Sequence, residues 1–362
     1  MSRPFDVEPR TIAIVRARTG MGDLLCGAPA LRALRRRLPA AHVALLTYPE
    51  MAPVVERLRP LVDELVAFPG WPGIPERPPD RAAIPGFLEA MRARRFDLAI
   101  QAYGANPAAN EVTRMLGARR TAGFLVPGTG PEDLETHLPY PHHLHEIDRH
   151  LALMTLLGAP PAGRDLIFPV ADADEDEAAV LRARAGLDHA PYVLIHPGAT
   201  SPSRRWPAER YAAVGDALSA RGLQVAVTGV ASEASLVGRV VRRMRAPAAP
   251  LAGRTSLGGF AALLSGAAIL VTADTGAAHV AAALGVPSVT VFLSGDPRRW
   301  RHPGPHHAVA RVQVECNPCP HLTCPIDHRC AERLAPEQVV AEADRVLAVA
   351  PAAPRARLRA LP

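Results

Sequence analysis

Asp274-Thr275-Gly276-Ala277-Ala278-His279 sets an acid, a hydroxyl, a glycine and an imidazole close together, directly after the apolar residues Ile269-Leu270-Val271-Thr272. That order fits a buried strand running into a helix of small residues. The first turn of such a helix carries unpaired N–H groups and the positive end of the helix dipole, a setting that suits phosphate. Open α/β sheets take their ligands at this carboxyl edge. The same residues also fit an ordinary strand-to-helix turn with Asp274 or Thr275 as N-cap.

Three further turns carry residues able to do chemistry. Gly20-Met21-Gly22-Asp23 follows the first apolar run. Its two glycines permit positive φ and close approach of a ligand to the backbone. Asp23 is either a helix N-cap or a carboxylate able to take a proton from a hydroxyl. Position 25 is Leu, where a dinucleotide fingerprint needs a third glycine. Thr200-Ser201-Pro202-Ser203-Arg204-Arg205-Trp206-Pro207 joins hydroxyls to guanidinium groups. Such a loop could hold a diphosphate by charge-assisted hydrogen bonds, or could simply be solvated. Thr228-Gly229-Val230-Ala231-Ser232-Glu233 ends in an acid that could bind a ribose diol or favour a helix N-terminus.

Cys316, Cys319, Cys324 and Cys330 bring four thiols into one short segment rich in turn residues. A tetrahedral structural zinc site is chemically reasonable there, with reduced, unligated thiols as the alternative. Disulfides do not suit a reducing compartment. Cys26 stands alone and reads as a small core residue. His137, His142, His143, His145 and His150 match no ligand spacing and read as a polar loop entering a helix.

The elements that must position these residues alternate. In the first half, apolar runs over 11–17, 42–47, 63–68, 96–102 and 121–126 predict strands, and the spacing over 24–38, 85–95, 107–116 and 145–157 predicts helices. Pro29 is expected in the early turns of the first helix, where proline does least harm. In the second half, strands are predicted over 192–196, 223–228, 268–272 and 287–292, and helices over 175–185, 208–220, 232–243, 257–265 and 337–349. The tail beyond Pro351 is expected to fray. At 362 residues the chain exceeds one core, so two domains follow: 1–165, then 166–335 with a Cys-rich loop at 316–330. Residues 336–362 form a last helix and tail, expected to pack back toward the N-terminal domain. The fold class is α/β, two Rossmann-like doubly wound domains facing a central cleft.

Composition narrows the function. No run of 18 apolar residues occurs, and Met1 to Arg10 lacks the apolar stretch of a signal peptide, so a cytoplasmic protein is expected. The net charge is +6, and all 41 basic residues are arginine. The excess favours anionic ligands or contact with a membrane surface. It is spread along the chain, and aromatics are only 4% of residues, which argues against a nucleic-acid partner.

The four turns, in this order, resemble the heptosyltransferase family, glycosyltransferase family 9, of the GT-B fold. The resemblance rests on Ile12 to Arg16 through Gly22-Asp23 and Pro29 to Leu34, and on His196-Pro197-Gly198-Ala199 through Arg204 to Pro207. It continues in Gly229 to Glu233 and in Ala273 to His279 through Ala283 to Pro287. No single motif is diagnostic, but the ordered set is specific and spans nearly the whole chain. The resemblance implies an inverting, metal-independent transfer of a sugar from a nucleotide diphosphate donor, typically ADP-heptose, to a glycoconjugate or lipid-linked acceptor such as lipopolysaccharide core. It implies an acceptor-binding N-terminal domain and a donor-binding C-terminal domain, no cofactor, and a cytoplasmic enzyme that contacts the membrane peripherally. By the same resemblance Asp23 matches the general base. Gly22, Thr200, Arg204, Glu233, Asp274, Thr275, Gly276 and His279 match donor contacts, with Arg204 standing where the family more often has Lys. The competing readings are a NAD-dependent Rossmann oxidoreductase and a zinc-containing nucleic-acid-binding protein. The first lacks the third glycine; the second leaves the Asp-Thr-Gly-x-x-His loop idle.

Overall fold

The computed structural model describes residues 8–126 and 134–349. The expectations for the first seven residues and for the tail after 349 lie outside them. The chain divides into two compact units, Met1–Ile167 and Phe168–Pro362.

The first unit runs β1 (Thr11–Val15), α1 (Met21–Arg37), β2 (His42–Thr47), α2 (Ala52–Arg57), β3 (Glu64–Ala67), α3 (Ala83–Ala93), β4 (Leu98–Gln101), α4 (Pro107–Met115), β5 (Arg120–Leu125), β6 (His137–Pro139) and α5 (Glu146–Leu156). All its described strands are parallel, in the order β3-β2-β1-β4-β5-β6. The second unit runs α6 (Asp172–Ala185), β7 (Tyr192–His196), α7 (Ala208–Ser219), β8 (Gln224–Gly229), α8 (Ala234–Arg243), β9 (Ala248–Ala252), α9 (Leu257–Ser265), β10 (Ile269–Ala273), α10 (Gly276–Ala283), β11 (Ser288–Val291), α11 (Pro297–Trp300), β12 (His307–Ala310), α12 (Arg329–Glu332) and α13 (Pro336–Val349). Its parallel strands order as β12-β11-β10-β7-β8-β9.

The two orders are the same once each unit is counted from its own first strand. Both are the doubly wound order in which the winding reverses beside the first strand. The reversal falls between β1 and β4 in one unit and between β7 and β10 in the other. The central strands are apolar runs because helices cover both faces of such a sheet. Ile12, Ala13, Ile14 and Val15 are buried, as are Val193, Leu194 and Ile195, and Leu270 and Val271. Burying each Val, Leu or Ile contributes about 1.5–3 kcal/mol. Register follows: Ile14 lies level with Leu45 on one side and Ile100 on the other.

One expectation needs correction. Pro29 is not in an early turn: α1 begins at Met21, so the proline is buried in the helix interior, where it cannot donate to the preceding turn. The proline-rich loop between β3 and α3 is anchored by Trp71 and Ile74, which sink into the first unit's core beside Phe68 and Tyr48. The last helix buries Val339, Ala343 and Val346 in the second unit's core with Val289, Val291 and Val214.

Candidate active site

Asp23 belongs to the first turn of α1, but it is not the cap. That position is Gly20, and no side chain caps the helix. The side chain of Asp23 is 24% exposed and folds back over Gly20; a Cβ on Gly20 would collide with the carboxylate. Two guanidinium groups face it, with Arg16 Nη2 3.7 Å and Arg18 Nε 4.0 Å from Oδ1. Arg18 in turn donates to Glu76 at 2.8 Å and lies over the Tyr103 ring. Burial alone would lower the Arg18 guanidinium, but Asp23, Tyr103, Glu76 and Glu146 together hold it above its ordinary value. Tyr103 donates to Glu76, and burial pushes its phenol up. Gly22, expected among the donor contacts, is a buried residue next to Asp23. It therefore sits on the unit that lacks the other expected donor residues.

In the second unit the turns after β7 and β10 flank the winding reversal. Arg204 ends a short 3-10 turn, and its Nη1 lies 3.4 Å from Asp274 Oδ2. Asp274 is interior, at 5% side-chain exposure, while Arg204 keeps 37%. A Cβ on Gly295 would strike the Asp274 carboxylate. Thr275 holds the N-cap position of α10 without a side-chain cap bond, and Gly276 is the first helical residue. The cap reading is thus met by position alone, and the first-turn N–H groups of α10 receive no capping side chain. Thr200 is exposed on the loop between β7 and Arg204. His279 is buried, with its Nδ1 2.8 Å from His302 Nε2 and its ring edge-on to Trp300.

Glu233 fits both of its readings in part. Its Oε2 accepts the Val230 N–H at 3.0 Å, as a residue serving a helix start does. Its carboxylate also lies across Gly198 and Gly229, and a Cβ on Gly198 would collide with it. The His-Pro-Gly loop after β7 and the turn after β8 therefore meet at this acid. Burial lowers His196 from its ordinary value, with Glu233 opposing.

The cysteine segment serves a purpose that the spacing did not reveal. Ser203, beside Arg204, is pinned by it: its Oγ donates to the His321 carbonyl at 2.7 Å, its N–H to the Leu322 carbonyl at 2.9 Å, and its own carbonyl lies 3.0 Å from His328 Nε2. Among the described residues no group of three or more His, Cys, Asp or Glu side chains could hold a metal ion. The four cysteines differ in burial. Cys330 packs in the core, where burial and the nearby Cys316 and Cys324 push its thiol up, whereas Cys316 is exposed. Cys324 Sγ accepts the His328 N–H, and Cys319 is half-buried.

Residues 86–329 match the family model described as glycosyltransferase family 9 (heptosyltransferase). Over 294 residues the chain is 26% identical to lipopolysaccharide heptosyltransferase 3 of Escherichia coli, covering 77% of this chain and 82% of that one. Over 325 residues it is 27% identical to lipopolysaccharide heptosyltransferase 1 of Pseudomonas aeruginosa, covering 84% and 85%. A solved glycosyltransferase family 9 protein from Veillonella parvula aligns with a TM-score of 0.77 at 22% identity, over 96% of this chain and all of that one (100%). The structure of E. coli ADP-heptose lps heptosyltransferase II aligns with a TM-score of 0.71 at 20% identity, over 93% and 98%. The chain belongs to glycosyltransferase family 9, with the GT-B fold of its structural neighbours. It is a glycosyltransferase, and among its described residues no helix is long and apolar enough to cross a membrane.

Proposed function

We propose that this enzyme moves a heptose from an ADP-linked donor to a hydroxyl of a lipopolysaccharide acceptor, in one inverting displacement that needs no metal or cofactor. Its relatives named for lipopolysaccharide support the acceptor, and a structural neighbour titled with ADP-heptose supports the donor. Asp23, on the first unit, takes the proton of the attacking hydroxyl. The acceptor oxygen bonds to the anomeric carbon as the carbon–phosphate oxygen bond breaks, and ADP leaves with the electron pair.

The second unit meets the charge that grows on the leaving diphosphate. Arg204 is held by Asp274 and still reaches solvent, and the first turn of α10 adds N–H donors already in position. Thr200, Thr275 and Gly276 line the phosphates, Glu233 takes the ribose, and Asp274 and His279 flank the sugar. A lipid-linked acceptor implies a cytoplasmic enzyme in peripheral contact with the membrane, which the chain's excess of arginine favours.

One observation carries the reading. The carboxylate of Asp23 and the Arg204–Asp274 pair each follow a strand that borders the winding reversal of its own sheet, the position where such sheets bind ligands. The test is incubation with ADP-heptose and a lipopolysaccharide acceptor lacking heptose, following ADP release and the anomeric configuration of the product. Inversion with ADP release is expected. Retained configuration would overturn the single displacement, and release only from a donor of another base would overturn the choice of ADP.

A further inference from the structure

Beneath Asp23 lies a buried ion cluster that the proposed reaction does not use. Glu146, the first residue of α5, is 2% exposed, and Arg16 and Arg149 are nearly as deep. Arg149 Nη1 donates to Glu146 Oε2 at 3.0 Å, Arg16 Nη2 to Oε1 at 3.3 Å, and His150 Nε2 lies 3.3 Å from that same Oε1. The Arg16 guanidinium is held at both of its terminal nitrogens. Its Nη1 donates to the Ala102 carbonyl at 2.6 Å, and its Nη2 to the Asp23 carbonyl at 2.8 Å. Solvent screens it little, because its side chain is only 4% exposed.

Buried ion clusters are weak devices for stability, since apolar packing of similar volume does as well or better. What this one supplies is placement. One guanidinium holds both the backbone and the carboxylate side of Asp23, and Glu146 holds that guanidinium. We infer that Glu146 is a positioning residue for the transfer: through Arg16 it fixes where the Asp23 carboxylate stands and how tightly that carboxylate holds a proton. The inference rests on Asp23 being the general base.

The charged groups that bear on this pair come from several elements. Arg16 and Arg18 follow β1, Glu76 lies in the segment between β3 and α3, and Tyr103 follows β4. Arg149 and His150 face Glu146 from its own helix, and burial lowers His150 to about 4, so it is neutral near pH 7. With His150 neutral, Glu146 is the carboxylate that offsets Arg16 from the interior side. Removing its charge leaves the full charge of Arg16 on Asp23, which then accepts a proton less readily.

The experiment uses the full-length enzyme and follows kcat, the KM for the donor and the pH profile of kcat for Glu146→Gln. This isosteric change keeps a hydrogen-bonding side chain in place. A fall in kcat on the order of 100-fold is expected, comparable to the cost of a misplaced reacting group. The KM for the donor should stay within about twofold, and the acid limb of the kcat profile should move to lower pH. A purely structural role would not move that limb. Unchanged kcat and limb in a folded Glu146→Gln enzyme would overturn the inference. If that variant does not fold, Arg16→Lys decides: it keeps the charge but cannot fork between Glu146 and Asp23, so the same loss of kcat is expected, and wild-type kcat would overturn the inference. Asp23→Asn serves as the control. Normal turnover by that variant removes the base assignment itself, whereas a dead Asp23→Asn beside a normal Glu146→Gln removes only the positioning role.

Discussion

Arg204 Nη1 stands 3.4 Å from the Asp274 carboxylate and 3.4 Å from the Asp274 carbonyl, so one guanidinium ties the loop after β7 to the loop after β10. The pair brings a half-exposed cation to the uncapped start of α10. Arg204→Ala is expected to weaken ADP binding by about 1.5–3 kcal/mol, the usual worth of a hydrogen bond to a charged group. Calorimetry with ADP measures this directly. Affinity unchanged from the parent would separate Arg204 from the diphosphate.

The missing Cβ at Gly20 makes room for the Asp23 carboxylate. The backbone there is extended and suits any residue, with φ −89° and ψ 124°. Gly20→Ala should therefore fold normally while turning the carboxylate aside. The expected result is a loss of turnover on the order of 10-fold or more with a thermal midpoint close to the parent's, since a small misplacement of a reacting group is costly. Full activity would show that the carboxylate tolerates another pose.

Asp23→Asn should keep the fold and the affinity for ADP while losing turnover by roughly 10²–10⁴-fold, the usual contribution of a general base. Single-turnover assays beside ADP calorimetry separate the two effects. Turnover at the parent rate would move the base elsewhere.

His150 gives stability a pH dependence of known sign. Burial lowers it from 6.5 to about 4. Between those values the unfolded chain binds a proton that the folded chain does not. Its contribution is therefore fully present above pH 6.5 and is lost as pH falls toward 4. The gap is worth about 3 kcal/mol, an order-of-magnitude figure. Urea midpoints measured from pH 7 to pH 5 should fall for the parent and fall less for His150→Gln, and equal slopes would contradict the assignment.

The cysteines should behave as individuals. Cys330 lies in the core and Cys316 at the surface. Cys330→Ser is expected to cost about 1–3 kcal/mol by burying a hydroxyl in apolar surroundings, and Cys316→Ser less than about 0.5 kcal/mol. Equal losses from both, reversed by added zinc, would instead support a structural zinc site.

Long, strongly patterned segments were legible in the sequence. The strands at 42–47 and 192–196 and the helix Leu257–Ser265 stand where the apolar pattern puts them, and the winding of both sheets follows from the alternation. β6, β9 and β12 were missed. Each is short and close to an edge, and two of them carry Pro139 or Pro250, so the usual apolar signal is weak. At the site, the turns could be found from glycines and acids at strand ends. The support beneath Asp23 could not, because Glu146 lies 130 residues from Arg16. A Glu in a helix's first turn ordinarily reads as a solvated partner of the helix dipole. The only available hint was Arg16, a charge at the end of an otherwise apolar run.

The carboxylates and guanidinium groups around the start of α1 match one for one: Asp23, Glu76 and Glu146 against Arg16, Arg18 and Arg149. Replacing any one of these six by a neutral side chain therefore leaves a single unmatched charge beside the start of α1, so the six act as one electrostatic unit and not as independent pairs.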